Sequence, residues 1–287
     1  MSEQGIDGQG TRLRPAPLKA YEDIEFLKSD ACRAARLQLE YLKPDVAMRE
    51  HRIESTLVIF GSARLPSPEA AAAELAAAEQ AAQAAPDCSS AASRLRRAQV
   101  MAEQSHYYAV AQELAEMVSR FGQSATCSGR QMVVITGGGG GIMEAGNRGA
   151  NQAGAKSIGL NITLPHEQHP NAYSSEELTF QFHYFSIRKM HFLLRAKALC
   201  AFPGGFGTLD ELFEALTLIQ TGKMKRMPVV LFGASFWTRV VNWQELADRG
   251  MIAQDDLSLF SICETASEGW ERICEFHRQA APSGAED

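Results

Sequence analysis

The stretch Ala198-Leu199-Cys200-Ala201-Phe202-Pro203-Gly204-Gly205-Phe206-Gly207-Thr208-Leu209-Asp210-Glu211 joins an apolar run to a helical pattern through a glycine turn. The run reads as a strand ending at Pro203, and the pattern as a helix reaching Thr221 and stopped by Gly222. Glycines at such a turn let the backbone approach a bound group, and the unpaired N–H groups of a new helix present partial positive charge to an anion. Phosphate is the expected guest of Gly204, Gly205, Gly207 and Thr208. A plain phosphate loop does not explain Glu211, a carboxylate in the first helical turn. Either it only complements the helix dipole, worth about 0.3–1 kcal/mol, or it does chemistry beside the anion.

Two further stretches repeat the strand, glycine, loop order. Thr56-Leu57-Val58-Ile59-Phe60 is β-branched and apolar and is stopped by Gly61-Ser62-Ala63-Arg64. Met132 to Thr136 is followed by the five glycines Gly137 to Gly141 and a helical segment from Ile142 to Ala150. More strands are expected at about 157–162, 178–185 and 228–233, with helices at 186–197, 236–249 and 267–279. Short strands alternating with helices predict an α/β fold, a Rossmann-like parallel sheet flanked by helices. Ligands of such sheets sit outside the carboxyl ends of the strands, where the strand order reverses, so the site is expected among the glycine turns.

The 287 residues divide into an expected disordered tail (1–17), a helical arm (18–54), the Rossmann-like domain that holds the expected site (55–280) and a flexible tail (281–287). In the arm, apolar residues recur at helical spacing from about Leu18 to Met48, before Pro44 interrupts. An Ala-rich helical insertion covers about 69–98, and a second helical stretch runs from about Ala92 to Phe121. Lys plus Arg number 28 against 34 Asp plus Glu, a net −6 without a basic block, which argues against nucleic acid or an anionic membrane as partner. The N-terminus lacks a basic start with an apolar stretch behind it, and no run reaches membrane-spanning length, so a soluble, cytoplasmic protein is expected.

The six cysteines form no C-x-x-C pair and read as free thiols. His166 and His169 flank Glu167 in a Pro-bounded loop rather than standing four apart on a helix, so no metal is expected. The five-glycine run fits a dinucleotide fingerprint superficially, but no acidic residue closes the next strand to hold a ribose. A mononucleotide fits better. The same glycines would also serve tight turns and close helix–strand packing. Arg188, His191 and Arg195 stand at i, i+3 and i+7, which predicts a basic stripe on one helical face. Such a stripe is either solvated or borders the crevice, and the short path from Arg188 to the strand ending at Pro203 favours the crevice.

Arg188-Lys189, followed 23 residues after the arginine by the glutamate of Pro203-Gly204-Gly205-Phe206-Gly207-Thr208-Leu209-Asp210-Glu211, resembles the signature of the Lonely Guy phosphoribohydrolases, long labelled lysine-decarboxylase-like. Gly137 to Ala145 looks like that family's other glycine turn, Phe60 to Arg64 like its first strand end, and Leu164 to Tyr173 like a segment of its longer bacterial-type members. The resemblance covers roughly residues 55 to 265; the arm and the insertion depart from the short plant-type form.

It implies hydrolysis of the N-glycosidic bond of a nucleoside 5′-monophosphate such as AMP or a cytokinin nucleotide, by a homodimer or higher homo-oligomer. By position, Arg188 and Glu211 would be catalytic, with the turn ending in Thr208 holding phosphate. Gly61, Ser62, Thr136, Gly137, Gly138, Gly139, Met143, Glu144, Lys189 and Arg195 are further candidates for holding the substrate. Breaking a ribosyl bond builds positive charge on the sugar, which a carboxylate can stabilise while orienting or deprotonating water. No cofactor is called for: a pyridoxal enzyme needs a Schiff-base lysine with partners for the ring, and no lysine here has that context. The rival reading is a carrier that binds a phosphorylated pterin or nucleotide without turning it over.

Overall fold

Every residue of β1 (Thr56–Phe60) is buried, as a strand covered on both faces must be. Its side chains alternate between two cores, with Val58 and Phe60 on one side and Leu57 and Ile59 on the other. The computed structural model describes residues 17–124, 129–164 and 169–280. The expected tails, the His166–Glu167 pair and Cys127 fall outside them, Pro17 apart.

Around β1 stand β2 (Val133–Thr136), β3 (Ser157–Ile162), β4 (Thr179–Phe182), β5 (Ala196–Ala201), β6 (Val229–Phe232) and β7 (Ser261–Cys263). The sheet order is β4-β3-β2-β1-β5-β6-β7, and all neighbours pair parallel. The chain builds outward from β1 to β4 and then returns to β5 on the other flank of β1, so the order reverses between β1 and β5. This is the Rossmann-like sheet flanked by helices.

The arm comprises α1 (Ile24–Lys28), a 3-10 turn at Asp30–Cys32 and α2 (Arg33–Glu50). Then come α3 (Pro68–Ala84), α4 (Ser89–Gln104), α5 (His106–Gly122), α6 (Ile142–Gln152), α7 (Phe185–Leu194), α8 (Phe206–Gln220), α9 (Ala234–Val240), α10 (Trp243–Asp248) and α11 (Ala266–Ala280). One core holds residues of α2, α7, α8 and α9, such as Met48, Phe192, Leu212 and Trp237. The other holds residues of α5, α6 and α11, such as Leu114, Ala145 and Ile273. No helix among the described residues is long and apolar enough to cross a membrane.

The structure corrects several expectations. Pro44 does not interrupt the arm: α2 runs through it to Glu50 with Pro44 buried. The expected helix at 92–121 is two helices that meet at Ser105, whose hydroxyl donates to the Ala102 carbonyl and so competes with the helical ladder. The helix expected at 236–249 is likewise split into α9 and α10. A 3-10 turn at Gln254–Leu259 and the edge strand β7 went unread, the strand being only three residues long. The insertion is a helical pair, α3 against α4, bridged by Arg94 and Glu74 at 2.8 Å.

Helices α5 and α6 pack very closely because Gly149 has no side chain. A Cβ there would lie 2.1 Å from the Gln112 carbonyl oxygen and 2.9 Å from the Ala115 Cβ. Backbone cannot yield as a flexible side chain can. Gly149→Ala is therefore expected to destabilise the protein by about 1–3 kcal/mol, read as a lower urea midpoint with an unchanged slope.

Candidate active site

The carboxyl ends of β1 and β5 lie side by side, with Phe202 N donating to Phe60 O at 2.8 Å and Ser62 N donating to Pro203 O at 3.0 Å. The turns after these two strands thereby border one cleft of about 700 Å³. Its walls include Gly61, Ser62, Gly137, Met143, Arg188, Gly205, Gly207, Thr208 and Glu211, so residues from four separate stretches of the candidate set converge there.

The floor is the N-terminus of α8. Gly205 is its N-cap and provides no side-chain acceptor for the first amides. Those amides remain available to an anion. A Cβ at Gly204 would stand 2.1 Å from Thr208 Oγ1, so Gly204 lies outside the wall but lets the threonine pack against the turn. Around Gly205 and Gly207 there is open space within 4 Å of where a Cβ would be.

Glu211, expected in the first helical turn, stands in the second because α8 already begins at Phe206, and it is only 8% exposed. Burial raises its pKa to about 7, against the opposing pull of Lys189 and Arg188, with Glu214 and Asp210 adding to the rise. Arg188 faces it from α7. Its Nε donates to the Leu160 carbonyl at 2.7 Å, and its guanidinium lies 5.1 Å from the centre of the Phe192 ring. Burial pulls the Arg188 pKa down while Glu211 pulls it up, a coulombic coupling without a hydrogen bond between them. A guanidinium stays protonated regardless.

The five-glycine turn divides its labour. Gly137 comes to the wall, where a Cβ would stand 2.7 Å from Arg188 Nη2 and 2.6 Å from Met143 Sδ. Gly138 and Gly139 instead give their carbonyls to the Asn171 amide, at 3.1 and 3.0 Å. Thr136 Oγ1 donates to Asn147 Oδ1 at 2.7 Å and accepts from Gly138 N, inside a buried network. Gly141 needs its freedom: it has φ 63°, and a Cβ would meet the Ser62 oxygen at 2.3 Å. Glu144 lies outside the cleft and accepts from the Tyr108 hydroxyl at 2.8 Å, an arrangement in which burial and the carboxylate help raise Tyr108 to about 12.

Lys189 also points away from the wall, to Asp210 at 2.8 Å and Glu214 at 3.2 Å. Burial lowers its pKa, but these partners outweigh that and the net shift is upward. Arg195 pairs with Asp45 of the arm at 2.6 Å. The expected basic stripe is thus split: Arg188 reaches the cleft, His191 is buried against Tyr41 and Phe182, and Arg195 lies past the last residue of α7. Three residues turn a helix by 300°, and a residue beyond its end no longer follows the helical screw.

Sequence reading missed the apolar wall of Phe60, Ile162, Leu164, Phe185 and Phe192, and the rim residues Arg64 and Phe206. Phe206 is 91% exposed at the mouth. Both rim residues, with Phe60 and Leu164, stand inside stretches already singled out, whereas Ile162, Phe185 and Phe192 come from distant elements and carry no local signal of their role. Asn171, which organises the glycine turn, lies within the Leu164 to Tyr173 segment, where the sequence assigned it no role of its own.

A family model described as "Possible lysine decarboxylase" matches residues 143–273. A "Bifunctional cytokinin biosynthesis protein" of Fusarium pseudograminearum is 39% identical over 64 residues, which is 22% of this chain and 13% of the fungal protein. The "Cytokinin riboside 5'-monophosphate phosphoribohydrolase LOG" of Oryza sativa subsp. japonica is 34% identical over 82 residues, 28% of this chain and 34% of the rice protein. The chain thus aligns with about an eighth of the first relative and about a third of the second. Among solved structures, the Moco carrier protein from Chlamydomonas reinhardtii superposes with a TM-score of 0.46 at 16% identity, over 79% of this chain and 99% of that one.

The raised Glu211 pKa has a thermodynamic consequence. Between the ordinary value of 4.5 and about 7 the folded protein holds a proton that the unfolded chain releases. Stability from this group is complete below 4.5 and is lost as pH rises through about 7. Glu211→Gln removes the titration, so its melting temperature relative to the unsubstituted protein is expected to climb from pH 5 to pH 8. A difference that is flat with pH would contradict the buried, proton-holding carboxyl.

Proposed function

We propose that this chain, which resembles the lysine-decarboxylase-like Lonely Guy family over part of its length, is a member of it and hydrolyses the N-glycosidic bond of a nucleoside 5′-monophosphate of the AMP or cytokinin type. The products are free base and ribose 5-phosphate. The observation that carries this reading is the buried Glu211 carboxyl, one turn inside a helix whose uncapped N-terminus opens on the same cleft.

In this reading the phosphate seats on the amides around Gly205 to Thr208, and its binding energy holds the sugar against Glu211. The C1′–N bond breaks with its electron pair leaving on the base, which takes up a proton from solvent, while water adds to C1′ and yields a proton to Glu211, which returns it to solvent. The ionised carboxylate also stabilises the positive charge growing on the sugar. A base with a pKa near 7 suits neutral pH, being ionised often enough to act and basic enough to take the proton. Arg188 favours ionised Glu211 by its charge and offers donors to substrate oxygens. The base would lie against the apolar wall. A cytoplasmic homodimer completes the proposal.

Incubation with AMP and other common nucleotides, followed by chromatography, should yield free base and ribose 5-phosphate. Tight binding of nucleotides with no base released from any of them would overturn the reading in favour of a carrier. Glu211→Gln should lower kcat by about 10²–10⁴-fold and leave binding of ribose 5-phosphate intact, and kcat/KM of the unsubstituted protein should rise with pH through about 7. Gly137→Ala tests the geometry. The new methyl meets only the ends of two flexible side chains, so the fold should survive, but displacing Arg188 by about 1 Å should cost on the order of 10²-fold in kcat/KM.

A further inference from the structure

The arm lines no part of the cleft, yet it grips the helix that carries Arg188 at both ends. At the start of α7 the residues have no cap of their own: Tyr184, the N-cap, makes no side-chain hydrogen bond to the first turn. The Glu40 carboxylate of α2 reaches across instead. One oxygen accepts from His183 N at 2.8 Å and the other from Tyr184 N at 3.1 Å. An anion at that place satisfies two backbone donors and complements the positive end of the helix. Arg36, one turn earlier on α2, donates to the Tyr184 hydroxyl at 3.4 Å and to the Leu27 carbonyl at 2.8 Å, tying this end into the rest of the arm.

At the other end Arg195, the C-cap of α7, pairs with Asp45. Both side chains are largely withdrawn from water, at 17% and 15% exposure, and the Arg195 hydrogen bond holds the Asp45 pKa down. Between the two anchors the His191 ring, 1% exposed, stacks on Tyr41 of α2 with centroids 5.4 Å apart. Burial lowers its pKa. The ring is held there by packing against Tyr41 and Phe182. Pro44 is buried in this stretch of α2, where its missing N–H leaves the Glu40 carbonyl without its helical donor.

We propose that α2 is a brace that positions Arg188, with Glu40 as the positioning residue at the start of α7 and Asp45 at its end. The proposal rests on the phosphoribohydrolase reading above. Arg188 sits in the first turn after the Glu40 anchor, and its guanidinium depends on a fixed helix to keep both the Leu160 hydrogen bond and the contact with Phe192. If α7 shifts or frays at its start, Arg188 moves relative to Glu211 while the phosphate seat on α8 stays in place. Loosening the brace therefore acts on turnover more than on binding.

The test compares Glu40→Ala and the milder Glu40→Gln with the unsubstituted full chain, using AMP as substrate. Glu40→Ala is expected to lower kcat about tenfold, less than the roughly 10²-fold of a full misplacement, with KM and ribose 5-phosphate affinity changed less than about twofold. Glu40→Gln, which keeps one acceptor oxygen, should fall between. In an Arg188→Lys background the Glu40→Ala loss in kcat should largely vanish, because both changes act through one group. Undiminished kcat in Glu40→Ala, or losses that simply add in the double variant, would overturn the brace. Amide hydrogen exchange over 183–188 needs no turnover: faster exchange in Glu40→Ala supports the brace and unchanged exchange overturns it. Absence of base release from the unsubstituted protein would sink the parent reading alone, leaving the exchange result to judge the brace.

Discussion

The parallel pairing of β1 with β5 is the constraint on which the rest of this molecule depends. It joins residues about 140 positions apart, Val58 to Leu199 and Phe60 to Ala201, and it is the place where the strand order turns back on itself. At such a reversal the connections on either side depart to opposite faces of the sheet, so nothing covers the carboxyl ends and a crevice opens. Two short backbone hydrogen bonds, from Phe202 to Phe60 and from Ser62 to Pro203, carry the pairing past the strands and set the two loops edge to edge. The floor of the cleft is therefore rigid backbone, and the helix that starts there points its unsatisfied amides into it.

Electrostatics then turns a cradle into a reactive site. A carboxylate in the second turn of a helix would ordinarily lie in water and stay ionised. Here the apolar wall and the body of α8 withdraw Glu211 from water, and desolvation outweighs the attraction of Arg188 and Lys189. Lys189 is itself committed to Asp210 and Glu214 on the flank of α8, which holds α7 and α8 together and leaves Arg188 as the cation of α7 that faces the cleft. The two helices bearing the candidate pair are thus cross-linked by charge on one side, and α7 is held by the arm on the other.

Much of this was legible from local pattern. Thr56 to Phe60, Val133 to Thr136 and the run into Pro203 are apolar and β-branched or bounded by glycine, and each became a buried parallel strand. Where the reading failed, longer-range terms overrode local propensity. Pro44 breaks an isolated helix, but packing of α2 on α7 retains the helix through it. The stripe of Arg188, His191 and Arg195 looked uniform in spacing, yet each residue met a different neighbour: a cleft, an aromatic stack and an aspartate of the arm. Thr136, Gly138 and Gly139 had the look of ligand contacts and are occupied in holding a turn, through Asn147 and Asn171, whose roles depend on residues far along the chain.

The sequence by itself determined the strand–glycine–helix units, their parallel arrangement and the presence of a carboxylate just inside an anion-accepting helix, because each of these rests on residues within a turn or two of one another. Only the tertiary structure decided which of the glycine turns face one cleft, how far Glu211 is withdrawn from water, and that the arm holds α7. Burial and alignment of charges are sums over atoms brought in from distant parts of the chain, and no local window contains them.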